Sequence, residues 1–271
     1  MTLQVTTEEP QPYPWIVIAP DGRAHYVGSE IDADDLHRRM GDGARIVRVD
    51  DDLPDGMTVD LPDGMTASGV PIWFLHPERT EIRPHDIRTA LARICRYGGH
   101  WNYSVLQHLA LCVELAKRRA LGWGLFSTSR ATLITAMAVH DMHEAYVGDV
   151  PTFLKRAIGK AYTDIEDRWE DHVHKSIGIE IPTPELKPLV KLLDRHARAI
   201  EMAVVRHPFA AYCATHYVER PLTNGEIELG SHAQQLDATG AWGIVADPRI
   251  LPSEWIESTR YTDPLRTAER T

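Results

Sequence analysis

The chain is poor in three things. It has 3 cysteines among 271 residues (Cys95, Cys112 and Cys213), too widely spaced for a CxxC pair or a disulfide framework. Each falls in a segment that reads as helical, and free thiols are mostly buried, so structural thiols are expected. No apolar run approaches the roughly 20 residues that span a bilayer, so no membrane partner is expected. Positive charge is the third shortage: 29 Lys and Arg against 39 Asp and Glu leave a net charge of −10. That balance argues against a nucleic-acid polymer as partner, which needs a clustered basic surface. It leaves room for a small anionic ligand, because a metal ion and a few arginines can make a positive pocket inside an acidic protein. The opening MTLQVTTEEPQP carries neither the basic nor the apolar region of a secretory signal, so a cytoplasmic location is expected.

What is present divides into two textures. Residues 1–80 read as a β-rich extension: WIVIAPDGRAHYVG is a strand–turn–strand pattern with PDG at the turn, and ARIVRVD and VPIWFL look like further strands. LPDGMT occurs twice, at 53–58 and 61–66, too few copies for a repeat architecture. DADDLHRRM suits a short helix capped by Asp32 or Asp34. From 81 to 271 the pattern turns helical, and a mainly α fold, a helical bundle, is expected. DIRTALARICRY spaces Ile87, Leu91 and Ile94 for a helix. YSVLQHLALCVELAKRRALG opens on a Ser104 cap and ends at Gly122. TSRATLITAMAVHDMHEAYVG reads as one helix stopping at Gly148, apolar almost all round and therefore central. AYTDIEDRWEDHVHKSIG, PELKPLVKLLDRHARAIEMAVV and a segment near SEWIESTRY complete the bundle.

The chemistry concentrates in HDMHEAYVGD, residues 140–149. On a continuous helix His140 and Glu144 share a face, and Asp141 lies about 100° round from His140. Charged groups at the end of a buried helix are costly unless paired or metal-bound. An isolated His-Asp pair is more often two caps, and His108, on an otherwise apolar face, reads alone as a satisfied core histidine. Asp194, in an apolar stripe with Val190, Leu193 and Ala197, needs a cation partner. Two His and two Asp with open positions suit Zn, Co, Mn or Fe better than Ca.

The order H…HD…D resembles the HD-domain metal-dependent phosphohydrolases. HDMHEAYVGDVPTFLK looks like the HDxxExxxGDxPxPxK signature of the HD-domain 5′-deoxynucleotidases, LVKLLD like their VKxAD segment, and AYTDIED like their Y-x-x-IE helix. ICRYGGHWNYSVLQH and the lead-in TASGVPIWFLHPERTEIRPHDIRTAL are closer to the phage and prophage branch, which includes the DatZ-type dATP triphosphohydrolases. The likeness spans residues 66 to 202. It implies an HD-domain fold and a divalent metal (Co, Mn, Zn or Mg) on His108, His140, Asp141 and Asp194. It also implies that Glu144 handles the proton of the attacking water or of the leaving oxygen, with Asp149 in support or on the deoxyribose. Arg96 and Lys155 would hold phosphate, with His100, Trp101 and Glu201 as further substrate contacts and Arg156 and Lys160 as extra cations. His143 is left as surface. Departures from the pattern are Leu109, Tyr97, Phe153 and Leu193, none of which removes a ligand.

The expected function is hydrolysis of a small-molecule deoxynucleotide, favoured as dATP to deoxynucleoside and triphosphate, by a homo-oligomer (a dimer or a hexamer). A 5′-deoxynucleotidase acting on monophosphates is the alternative within the class. A non-catalytic nucleotide-binding module is the alternative outside it, and an intact Glu144 argues against that. Structural zinc is disfavoured, because such sites are closed and rich in Cys.

Overall fold

The computed structural model describes residues 15–18, 24–27, 34, 37–39, 41, 45–48, 62–179 and 186–257. The chain falls into two compact units, Met1–Leu61 and Pro62–Thr271. In the first, β1 (Trp15–Ile18) pairs antiparallel with both β2 (Ala24–Val27) and β3 (Arg45–Arg48), in the order β2-β1-β3. Ile16 stands opposite Tyr26 on one side and Val47 on the other. The PDG turn, Asp32 and the first LPDGMT copy lie outside the described residues, and Asp34 has helical backbone.

Segment 62–80, grouped with the extension on sequence texture, is part of the helical unit. The short strands β4 (Gly64–Met65) and β5 (Pro71–Ile72) form a hairpin. Ser68 donates from its amide at 2.8 Å and its hydroxyl at 2.6 Å to Asp86. Trp169 Nε1 donates to the Phe74 carbonyl at 3.0 Å, and Arg168 to that of Leu75 at 2.8 Å. Polar anchoring of this kind is invisible to a hydropathy pattern.

The expected mainly helical architecture is observed, in α1 (Pro84–Arg93), α2 (Val105–Gly122), α3 (Ser127–Val139), α4 (Glu144–Val147), α5 (Thr152–Ile158) and α6 (Lys160–Ile177). It continues in α7 (Lys187–Val204), α8 (Ala210–Cys213), α9 (Asn224–Gln235), α10 (Ala238–Val245) and α11 (Ser253–Glu257). Among the described residues no helix is long and apolar enough to cross a membrane.

The central helix is α2, not α3. One core cluster joins Leu106, Leu109 and Val113 of α2 to Ile87, Leu91, Trp169 and Val245. A second joins Leu111, Cys112 and Leu115 to Leu133, Met137, Leu193 and Ile200. Burial of each of these leucines contributes about 1.5–3 kcal/mol. Ser104 and Gln107 close a capping box at the start of α2. Gln107 Nε2 also donates to the carbonyls of Gln234 and Leu236 at 2.7 and 2.9 Å, pinning the turn that leads to His108. In α3 only the C-terminal half is buried (Leu133 and Ala136 to Val139), because its first turn faces solvent. It also ends at Val139, short of the expected Gly148. Residues 140–143 form i→i+3 turns, with Met142 N on Val139 O and Glu144 N on Asp141 O, before α4 resumes and stops at Gly148, φ +77°.

Helix α9 lies against α7, which brings a site carboxylate. A Cβ on Gly230 would sit 2.4 Å from Ile200 Cγ2 and 2.9 Å from Val204 Cγ2. Gly230→Ala is therefore expected to destabilise the fold by about 1–3 kcal/mol in a denaturant unfolding measurement.

Candidate metal centre

His108 is fully buried in the middle of α2. Its Nδ1–H donates at 2.5 Å to Glu201 Oε1, a carboxylate that can only accept. The Nδ1–H of His140 donates to the Met137 carbonyl at 2.9 Å. Both rings are thus held with Nε2 toward a common point, 3.3 Å apart. Asp141 Oδ2 lies 3.4 Å from each Nε2, and Asp194 Oδ1 lies 3.4 Å from that of His108. The i→i+3 turns at 140–143 replace α-helical backbone where His140 and Asp141 meet, and eclipse His140 with His143 rather than with Glu144.

Four electron-pair donors this close repel one another unless a cation lies among them. Ligands at 2.0–2.1 Å around a tetrahedral ion are about 3.3–3.4 Å apart. The four separations above match that edge length, so the donor set fits a divalent ion. Cys112, one turn from His108, also brings its sulfur into the neighbourhood: Cys112, His108 and His140 each have a ligand atom within 4.8 Å of the others. Its Sγ is 3.5 Å from Nε2 and 3.8 Å from Nδ1 of His108, against the ring rather than along the Nε2 lone pair. Burial pushes this thiol up to about 11. On His108, burial and Arg96 oppose a charge, but Cys112, Glu201 and Asp141 outweigh them and hold its pKa well above the usual range.

Glu201 does not line the cavity. It is fully buried and accepts from His108, from Arg96 Nε at 3.2 Å and from Tyr97 OH at 2.5 Å. Its expected role as a substrate contact is replaced by one of orientation. Arg96 NH1 stands 3.7 Å from Asp141 Oδ2, and both side chains face the cavity. Tyr97 at φ +58° is strained for a residue with a Cβ, and Gly98 and Gly99 continue the left-handed run. The bridge Cys95↔Ser104 closes this loop onto the start of α2. Carboxylates that orient ligating histidines typically matter by 10–100-fold. Glu201→Gln is expected to weaken divalent-metal binding by about that factor in equilibrium dialysis, with helical content unchanged.

The cavity beside the donors measures about 610 Å³, within the range of small-molecule sites. Arg96, His100, Trp101, Glu144, Asp149 and Lys155 line it, as does the exposed ring of Phe153. Lys155 is already ion-paired with Glu166. His143, expected on the surface, is buried, with Nε2 3.6 Å from Glu166. The turn at 140–143 directs it inward. Neither Arg156 nor Lys160 reaches the cavity: Arg156 is exposed, and Lys160 pairs with Asp164 in solvent. The far wall, Arg198, Met202, His207, Phe209, Tyr212 and Tyr217, went unread in the sequence. Trp101 and His207 meet there with ring centres 4.7 Å apart. This wall depends on the π-helical turn Ala214–Val218 after α8, which has no hydropathy signature.

Glu144 Oε2 is buried with no hydrogen-bond partner. Burial first, then Asp141 and Asp149, push the Glu144 carboxyl well above the usual range, against Arg96 and Lys155. The folded carboxyl therefore keeps its proton to higher pH than an unfolded glutamate, which ionises near about 4.3. This contribution is full below that value and is lost as pH rises. In the metal-free protein, Glu144→Gln is expected to flatten the decline of unfolding midpoint as pH rises above about 4.3; an unchanged slope would count against the assignment.

No family model matches the chain. It is 34% identical over 140 residues to an uncharacterized protein of Rhodobacter capsulatus, covering 49% of this chain and 68% of that one. The chain belongs to the family of that protein. It is also 29% identical over 131 residues to the uncharacterized protein YfdR of Escherichia coli, covering 48% of this chain and 64% of YfdR.

Proposed function

We propose that this chain is a metal-dependent phosphohydrolase of deoxynucleotides, with a deoxynucleoside triphosphate as favoured substrate, dATP on the resemblance to the phage branch. The observation that carries this reading is the set of four donors 3.3–3.4 Å apart, beside the unbonded carboxyl oxygen of Glu144 and the guanidinium of Arg96.

His108, His140, Asp141 and Asp194 would hold a divalent ion, which when bound would supply a water of lowered pKa and a Lewis acid for a phosphoryl oxygen. Glu201 keeps the Nδ1 proton on His108, so that Nε2 presents its lone pair. Arg96, held by Glu201, directs charge at a non-bridging oxygen. Glu144, whose carboxyl burial and its acidic neighbours push toward the protonated form, donates to the leaving 5′ oxygen or exchanges a proton with the incoming water. Water adds to the α-phosphorus, the bond from phosphorus to the 5′ oxygen breaks, and deoxynucleoside and triphosphate leave. Burial of Arg96, Glu144 and His108 excludes bulk water around the developing charge.

A second reading, a 5′-deoxynucleotidase that releases phosphate from monophosphates, gains from the pairing of Arg96 and Lys155 with carboxylates, which leaves neither of these two free for further phosphates.

Incubating the protein with each dNTP and dNMP in Mn, Co, Zn or Mg, and identifying triphosphate or phosphate as product, separates the two. Asp141→Ala is expected to lose bound metal and turnover together. Glu144→Ala should keep its metal and lose about 10²–10⁴-fold in turnover. Full turnover in that variant would refute the role given to Glu144.

A further inference from the structure

Arg198 stands one turn beyond Asp194 on α7 and lines the same cavity. Its Nε is buried and has no hydrogen-bond partner. The other strong cations of this wall have acidic partners: Arg96 has Glu201 and Asp141, and Lys155 has Glu166. Among the described residues no carboxylate pairs with Arg198. A guanidinium nitrogen removed from water without an acceptor is costly. The missing acceptor is therefore one that a ligand brings.

We propose that Arg198 binds the phosphate groups of the substrate beyond the one at the His/Asp centre, and so selects nucleoside polyphosphates over monophosphates. This rests on the metal-centre reading above. Four residues of helix carry Arg198 about 6 Å along α7 from Asp194, a step that the planar fork of an arginine spans toward a second phosphate. One phosphate at the centre leaves that fork unfilled; a polyphosphate offers it two oxygens at once.

The test is calorimetric titration of the wild type, Arg198→Gln and Arg198→Lys with inorganic triphosphate and with orthophosphate. It is run metal-free and in excess Mg²⁺, so that the anion does not strip the centre. The expected result is a loss of triphosphate affinity of about tenfold or more in Arg198→Gln. Orthophosphate affinity should change by less than about twofold, and Arg198→Lys should recover part of the loss. Equal triphosphate binding by wild type and Arg198→Gln overturns the proposal. So does an equal loss for both anions. Metal content, measured in parallel by dialysis, separates the two levels of inference. A wild type that binds no divalent ion refutes the metal-centre reading, while the metal-free titration still reports on Arg198.

Discussion

A single buried carboxylate organises this protein. Glu201 has no exposure to solvent, and an uncompensated charge at such a depth costs several kcal/mol. Burial pushes its pKa up, yet Arg96, His108 and Tyr97 together bring it below the usual range, so it is held as an anion. Each of those partners has a second obligation at the site. His108 turns its other nitrogen to His140, Arg96 faces Asp141, and Tyr97 begins the left-handed loop. The orientation of a candidate ligand, the aim of a guanidinium and the shape of a loop therefore stand or fall together.

The surrounding helices exist in a form that protects this arrangement. The nearly all-buried α2 holds the His108 backbone among leucines on both sides, leaving the imidazole little freedom to swing away. On α7, Asp194 and Glu201 lie two turns apart on one face and meet opposite ring nitrogens of His108. Stacking of Tyr146 on Trp169, with ring centres 4.4 Å apart, fixes the short α4 that carries Glu144.

Much of the site was legible because its residues are chemically misplaced: polar groups in apolar helical stripes. His108 and Asp194 announced themselves in this way, and the pair His140-Asp141 by its position after ATLITAMAV. Helices with strong caps were readable to within a residue, as at Ser104 and Gly122. The missed part has a physical reason too. The break at 140–143 changes only which carbonyl each amide bonds, and no residue type marks it. That break alone misled the readings of helix length and of His143. Glu201 was noticed, but its role depends on three partners up to 105 residues away in sequence. Cys112 and Arg198, each four residues from a candidate ligand, carried a helical-spacing signal that went unused. Helices α9 and α10 were passed over although Thr223 with Glu226 forms a legible capping box.

The candidate ligands are brought together only by tertiary structure: His108 and His140 are 32 residues apart, and Asp194 arrives on a third helix. An unfolded chain presents no such cluster. Any ion that occupies it binds the native state alone, and its affinity adds to the free energy of folding. Occupancy and conformational stability are then linked, so free ion in the surroundings would raise the stability of the folded state.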